Sequence, residues 1–285
     1  VEGFFNLQVF YIPLSLPKKS GSARNVETAR GFSKMKLTSK LKKAIMAHAD
    51  ECYPQECCGV IVGKEYIPCR NVSAQSDQFE IHSEDLAIAE DQGEILAYVH
   101  SHPDGTTRAS ELDLIQIELH KKPWVICSYP DLDFAIYEPC GFRAPLVGRN
   151  YYHGWQDCYA LIRDFYSREL GVELMDFERK DAWWEDKDHP SLYLENYEKA
   201  GFYEVDKPKY GDMLVCRVGR TEHPNHAVVW LGDNGKLKSE KSENCIGSAL
   251  ILHHPYNRKS VREIYGQQWL ERTVKILRHR DVKDH

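Results

Sequence analysis

The stretch ILAYVHSHP at 95–103, followed by SELD at 110–113, decides how this chain is read. An apolar run closing on two histidines one residue apart reads as a β-strand, Ile95 to His100, leading into a polar loop. Side chains alternate along a strand with period two, so His100 and His102 project to the same side. Ser110 then opens a helix with Leu112, Ile115 and Leu119 on one face, and Asp113 on its first turn turns a carboxylate towards the histidines. Two imidazoles and one carboxylate are a donor set that suits zinc and leaves a fourth position for water. At such a centre water ionises near pH ~7, so hydrolytic chemistry at neutral pH is within reach. The simpler reading of Ser110 and Asp113 is a helix cap with an acid at the third position, which requires no chemistry.

Working outward, Thr38 or Ser39 caps a helix carrying Leu41, Ala44, Ile45 and His48 at helical spacing. Strands follow at Gly59–Gly63 and Tyr66–Ile67, a helix over Glu84–Asp91, and strands at Trp124–Cys127 and Phe134–Tyr137. Helices and strands interleave, which predicts an α/β domain over residues 35–140. Before it, Pro13 and Pro17 break an apolar run and the pair Lys18–Lys19 follows that run rather than preceding it, the reverse of a signal peptide. The expectation is therefore either that Met35 is the native start or that residues 1–34 form a loose, disordered extension ahead of the domain.

Gly141, Pro145 and Gly148 mark a linker at 141–148, ahead of a second domain over 149–280 and a tail at 281–285. The second domain reads as a helix from Cys158 to Phe165 and a long irregular region from Val172 to Lys209. A Gly211–Asp212 turn and strands at Met213–Arg217, Ala227–Leu231 and Ala249–His253 complete it. One helix followed by several strands predicts α+β. Asp157–Cys158 at the helix start is its chemical signal, because a thiol there feels the positive end of the helix dipole. Its pKa is expected to fall from ~8.5 towards roughly 3.5–7.5 beside a histidine. His226 is the candidate base and His253, ending the next strand, the group that orients it. His153 reads as structural, and His223 and His254 as loop polarity. Trp183–Trp184 reads either as core or as a paired indole loop flanking a sugar-containing substrate.

Composition agrees with two soluble domains. The 285 residues are 42% hydrophobic and 28% charged, which excludes wholesale disorder. Lys plus Arg is 37 against 43 for Asp plus Glu, a net charge of −6, which argues against a broad nucleic-acid-binding face. No apolar run is long enough for stable membrane insertion. The nine cysteines are odd in number and scattered, so most read as reduced, buried thiols.

With these motifs in place, the first half resembles the JAMM (MPN-type) metalloproteases, whose pattern is a distant Glu, then His-x-His-Pro and Ser-x-x-Asp. The resemblance implies zinc held by His100, His102 and Asp113, with Glu56 in PQECCG as proton acceptor and Ser110 stabilising the tetrahedral intermediate. The second half resembles the NlpC-type papain-like cysteine peptidases, with Asp-Cys opening a helix, Gly-Asp before a strand, and His-Ala on the next. That likeness implies Cys158 as nucleophile, His226 as base and His253 as third residue; the common Ser-Gly after the cysteine is Tyr159–Ala160 here. The two in succession resemble the tail tip assembly proteins of lambda-like phages. Peptidoglycan peptides and phage tail tip proteins are then the implied partners. The host cytoplasm during assembly and the phage tail afterwards are the implied locations, with thiols reduced at the first. Three other readings remain open at the level of sequence: a bacterial peptidase trimming a ubiquitin-like or sulfur-carrier protein, a cellular wall hydrolase, and a structural tail protein with vestigial sites.

Overall fold

The computed structural model describes residues 35–74, 78–233, 235–241, 245 and 247–282. The expected extension at 1–34 and the last three residues of the expected tail lie outside them. The chain divides into two compact units between Phe142 and Arg143.

In the first unit Thr38 caps α1 (Ser39–Cys52), its hydroxyl accepting from the Leu41 N–H at 3.2 Å. Then come β1 (Cys58–Val62), β2 (Glu65–Cys69), α2 (Ser83–Gln92), β3 (Ile95–Pro103), α3 (Glu111–His120), β4 (Trp124–Tyr129) and β5 (Phe134–Tyr137). The sheet order is β2-β1-β3-β4-β5, and its only parallel pair, β3 with β4, is bridged by α3. All five β1 residues are buried, because α1 covers one face through Leu41 and Ile45 against Ile61, Val99 and Val125. On the other face Ala89 of α2 packs on Cys58, Val60 and Ile95. Gly59 is required where β1 pairs with β2: a Cβ there would collide with the Ile67 carbonyl and the Tyr66 ring. Glu118 on α3 secures the end of the unit, one carboxylate oxygen accepting from the N–H groups of Cys140, Gly141 and Phe142 at 2.6, 2.6 and 3.0 Å.

The second unit holds α4 (Cys158–Phe165), which runs on as a π-helical turn to Leu170 and stops at Gly171 with φ +69°. Then follow a short 3₁₀ turn at Trp183–Glu185, α5 (Leu192–Asn196), β6 (Phe202–Glu204), β7 (Met213–Cys216), β8 (His226–Gly232) and β9 (Leu250–His253). β10 (Val261–Ile264), α6 (Gln267–Arg272) and β11 (Thr273–His279) complete the unit. Its antiparallel sheet has the order β10-β9-β8-β7-β11-β6. Six of the eight α4 residues are buried, with Leu161, Ile162 and Phe165 packed among Val215, Ala227, Val229 and Leu252. Helices α4 and α5 precede the antiparallel strands, as expected of α+β, and the short α6 falls between β10 and β11.

Three strands were expected in this unit and six are present. β10 reads VREI and is half-exposed at the sheet edge, and β11 reads TVKILRH with Lys275 and Arg278 inside it. Polar side chains on such strands hide the period-two signal. All nine cysteines are unpaired and six are buried.

Candidate active sites

The first site grows from strand register. Cys58 pairs with His100, and the pairing runs on past the end of β1. The Ser101 N–H donates to the Cys57 carbonyl at 3.1 Å, and the Cys57 N–H to Ser101 Oγ at 2.8 Å. Glu56 precedes Cys57, and its charge acts on His102. Glu56 is buried, with its carbonyl held by Asn71 Nδ2 at 3.0 Å. His100 Nε2 lies 3.0 Å from His102 Nε2 and 3.2 Å from Asp113 Oδ1, and His102 Nε2 lies 3.5 Å from Asp113 Oδ2.

These residues fit a metal ion. A tetrahedral zinc with ligands at about 2.0–2.1 Å sets its donors roughly 3.3 Å apart. His102 Nδ1 bonds the Thr106 carbonyl at 2.8 Å, which fixes the ring proton there and leaves the Nε2 lone pair facing the other donors. His100 is wedged against Phe79, with ring centroids 4.7 Å apart, and burial pushes its pKa down, keeping it a neutral ligand. Burial also opposes charge on His102, but Asp113, the Thr106 carbonyl and Glu56 raise it overall. Asp113 stays ionised despite its burial because both imidazoles lie against it and the Ser110 N–H donates to it.

The capping reading of Ser110 and Asp113 holds at the same time. Ser110 Oγ accepts from the Asp113 N–H at 3.1 Å, while Asp113 Oδ2 accepts from the Ser110 N–H at 2.7 Å. The cap therefore fixes the carboxylate that faces the histidines. A second cluster, His82, Glu84 and Asp85, is filled by the Arg70 guanidinium, which bonds all three.

The second site is built on the start of α4. Asp157 caps the helix, accepting from the Ala160 and Gly154 N–H groups at 2.9 and 3.0 Å, and is paired with Arg179 Nε at 2.7 Å. Cys158 Sγ lies 3.3 Å from the Tyr193 hydroxyl of α5 and within reach of the Ala227 backbone N–H, next in the chain to His226. Val228 pairs with His253, so His226 and His253 share a face as diagonal neighbours across β8 and β9. His226 Nε2 meets His253 Nδ1 at 3.1 Å, and His253 Nε2 meets Glu263 Oε1 at 3.4 Å. Trp269 stacks on His226 at 5.7 Å and donates its indole N–H to Glu263. This chain occupies His226 Nε2 and leaves Nδ1 as its other ring nitrogen.

Two expectations are corrected. The Cys158 pKa is not depressed: burial, and then the adjacent Asp157 carboxylate, push it up to about 11 against the pull of Tyr193, the Ala227 N–H and Arg179. The helix start is present, and desolvation by burial is the largest influence on the thiol. Burial likewise keeps His226 neutral, so in this conformation the pair is a thiol and an uncharged imidazole. His254 is also not loop polarity. It is fully buried, edge-on to Tyr151 at 5.1 Å, and burial lowers its pKa to about 4. Of the two tryptophans, Trp183 lies in the core, whereas Trp184 is half-buried between His153 and Tyr256.

Residues 38–136 match the family described as prokaryotic homologs of the JAB domain, and residues 148–278 match the NlpC/P60 family. The chain is 38% identical over 253 residues to the tail tip assembly protein K of Escherichia phage N15, covering 87% of this chain and 97% of that protein. It is 38% identical over 200 residues to the tail tip assembly protein K of Escherichia phage lambda, covering 69% and 88%. The chain belongs to the tail tip assembly protein K family. A JAB1/MPN domain protein from Archaeoglobus fulgidus is similar at 23% identity, covering 40% of this chain and 95% of that one, with a TM-score of 0.26. Among the described residues no helix is long and apolar enough to cross a membrane.

In this member of the K family, sequence reasoning missed Tyr193, Arg179, Glu263 and Trp269, all of which touch the second site. Glu263 and Trp269 sit in a short edge strand and a helix of six residues. Tyr193 and Arg179 come from the irregular segment, where no periodicity marks a buried side.

The buried imidazoles set an acid limit on the second unit. His253 and His254 have pKa values lowered to about 4 by burial, whereas the unfolded chain protonates histidine near ~6.5. Between these values the unfolded state binds more protons, so stability is complete above ~6.5 and falls as pH drops towards 4. Melting curves at pH 7, 5.5 and 4.5 are expected to show a progressive loss. An unchanged midpoint across that range would contradict buried, neutral imidazoles.

Proposed function

We propose that the chain is a tail tip assembly protein carrying a cysteine endopeptidase that cuts stem peptides of peptidoglycan, together with a zinc-dependent JAMM (iso)peptidase site. Phage tail tip proteins are its partners. It is made in the host cytoplasm and acts from the phage tail at the cell envelope. The observation that carries the reading is the His226–His253 pair, set beside the Ala227 N–H that reaches Cys158.

In the second unit Cys158 Sγ attacks the carbonyl carbon of a stem-peptide amide. With the thiol pKa at about 11, its proton leaves during the attack, to His226, rather than beforehand. His253 holds the His226 ring in place through the Nε2–Nδ1 contact, and Trp269 packs against both rings. The imidazolium returns the proton to the leaving amine, and water then releases the acyl group from sulfur. The N–H groups at the start of α4, that of Cys158 among them, have no intrahelical acceptor and serve the oxyanion.

In the first unit His100, His102 and Asp113 would hold zinc, which supplies polarisation of a carbonyl and a lowered water pKa. Glu56 takes the proton of the attacking water. Ser110 accepts from the Asp113 N–H through a lone pair, so its hydroxyl proton is left to donate to the developing oxyanion. Removing a ligand should show first in metal affinity. His102→Ala is expected to weaken zinc binding by more than ~100-fold in competition with a chelator. Equal affinity in wild type and variant would remove His102 from the metal centre.

The function is tested by digesting purified peptidoglycan with wild type, Cys158→Ala and Glu56→Ala, followed by mass analysis of the fragments. Wild type and Glu56→Ala should release the same peptides and Cys158→Ala none. Equal products from wild type and Cys158→Ala would discard the thiol mechanism.

A further inference from the structure

The Cys158 sulfur has one side-chain hydrogen-bond partner among the described residues, and it belongs neither to α4 nor to the strands that carry the histidines. It is the Tyr193 hydroxyl of α5, 3.3 Å away. Tyr193 is buried, in the core beside Tyr159 and Trp183, and its hydroxyl makes no other hydrogen bond among the described residues. A buried phenol without a partner is costly, so this hydroxyl is committed to the sulfur. Against a neutral thiol either atom donates. Against a thiolate only the phenol has a proton to give.

Resting on the cysteine-peptidase reading above, we propose that Tyr193 is a positioning residue of the thiol site: its O–H donates to Cys158 Sγ, fixes the sulfur at the start of α4 and stabilises the negative charge it acquires on losing its proton. The remaining titratable or charged groups that act on the sulfur are Asp157, Arg179, Tyr151 and Cys216, with His226 next in the chain to Ala227, whose N–H reaches it. Asp157 opposes the negative charge, and Arg179 is spent on Asp157 and Asp176. Burial has already removed the help of water. A neutral donor held in place by packing therefore supplies what the helix start does not. The irregular segment between α4 and β6 thus acquires a chemical task in addition to covering the core.

The test is the pH profile of Cys158 alkylation by iodoacetamide in the full chain, followed by mass analysis of the peptide containing Cys158. Tyr193→Phe removes one oxygen and keeps the ring. It is expected to raise the midpoint by about one pH unit and slow alkylation at pH 7 roughly tenfold, with an unchanged melting curve. Tyr193→Met, also without a donor, carries the same expectation if the phenylalanine variant folds poorly. Tyr159→Phe is the control: that hydroxyl bonds the Met175 carbonyl at 2.8 Å, and its loss should leave the midpoint in place. Coincident profiles for wild type and Tyr193→Phe would overturn the proposal and leave Tyr193 as core packing. Alkylation does not require turnover, so the two readings fail separately. A shifted profile in a chain inert towards peptidoglycan sinks the peptidase alone, and coincident profiles in an active chain sink the role of Tyr193 alone.

Discussion

A chain carrying Cys158→Ala should release stem peptides from peptidoglycan at least ~10⁴-fold more slowly than wild type, while melting at a similar temperature. The size follows from the site. Among the described residues the sulfur is the nucleophile placed at the start of α4 within reach of the Ala227 N–H, and with it gone His226 has no proton to accept. The backbone N–H groups survive and account for what rate remains. His253→Ala should cost less, because it removes the orientation of His226 rather than the attacking atom. A loss of roughly 10- to 100-fold fits a group acting through another. Timed digestion with quantification of released peptides checks both values. Equal losses for Cys158→Ala and His253→Ala would mean that His253 touches the reacting atoms.

The second large effect is on stability. Arg179→Met should destabilise the second unit by about 3–5 kcal/mol, the usual consequence of stranding one charge of a buried pair. Asp157 and Arg179 have side chains only 2% and 6% exposed, and the carboxylate also caps α4 and holds the Gly154 N–H. Arg179 in addition donates to Asp176 and to the Gly154 carbonyl at 2.8 and 3.0 Å. Its loss therefore loosens the helix start on which the thiol sits. Combining it with Asp157→Asn should recover part of the lost stability, because the amide still caps and carries no charge. Urea unfolding of the single and double variants reads both. An additive double variant would show that the two charges do not interact.

Where polarity and spacing act locally, the sequence was readable. His100 and His102 sit at strand spacing, Ser110 and Asp113 form a capping box that also aims a carboxylate, and Asp157 caps the helix that Cys158 opens. His253 rather than His254 meets His226, as their strand positions indicated. What stayed hidden depends on the third dimension. The pKa of Cys158 turns on burial and on Asp157, and a linear reading saw the helix dipole without the desolvation. His254 looked like loop polarity because it follows the last residue of β9, yet packing closes over it. Tyr193 reaches the sulfur from 35 positions along the chain, through a segment whose mixed aromatics and charges carry no period. The edge strand β10 and the inner strand β11 were lost to their own charged side chains, Arg262 and Glu263 in one and Lys275 and Arg278 in the other, which break the apolar pattern.

The most direct test is to look for the bond itself. Wild-type chain is mixed with a soluble stem-peptide fragment, quenched in acid within the first turnover and digested for mass analysis. The account predicts an acyl group in thioester linkage on the peptide containing Cys158, absent after hydroxylamine treatment and absent from Cys158→Ala. Cleaved product with no adduct on Cys158 at any quench time, or the same product from Cys158→Ala, would contradict it.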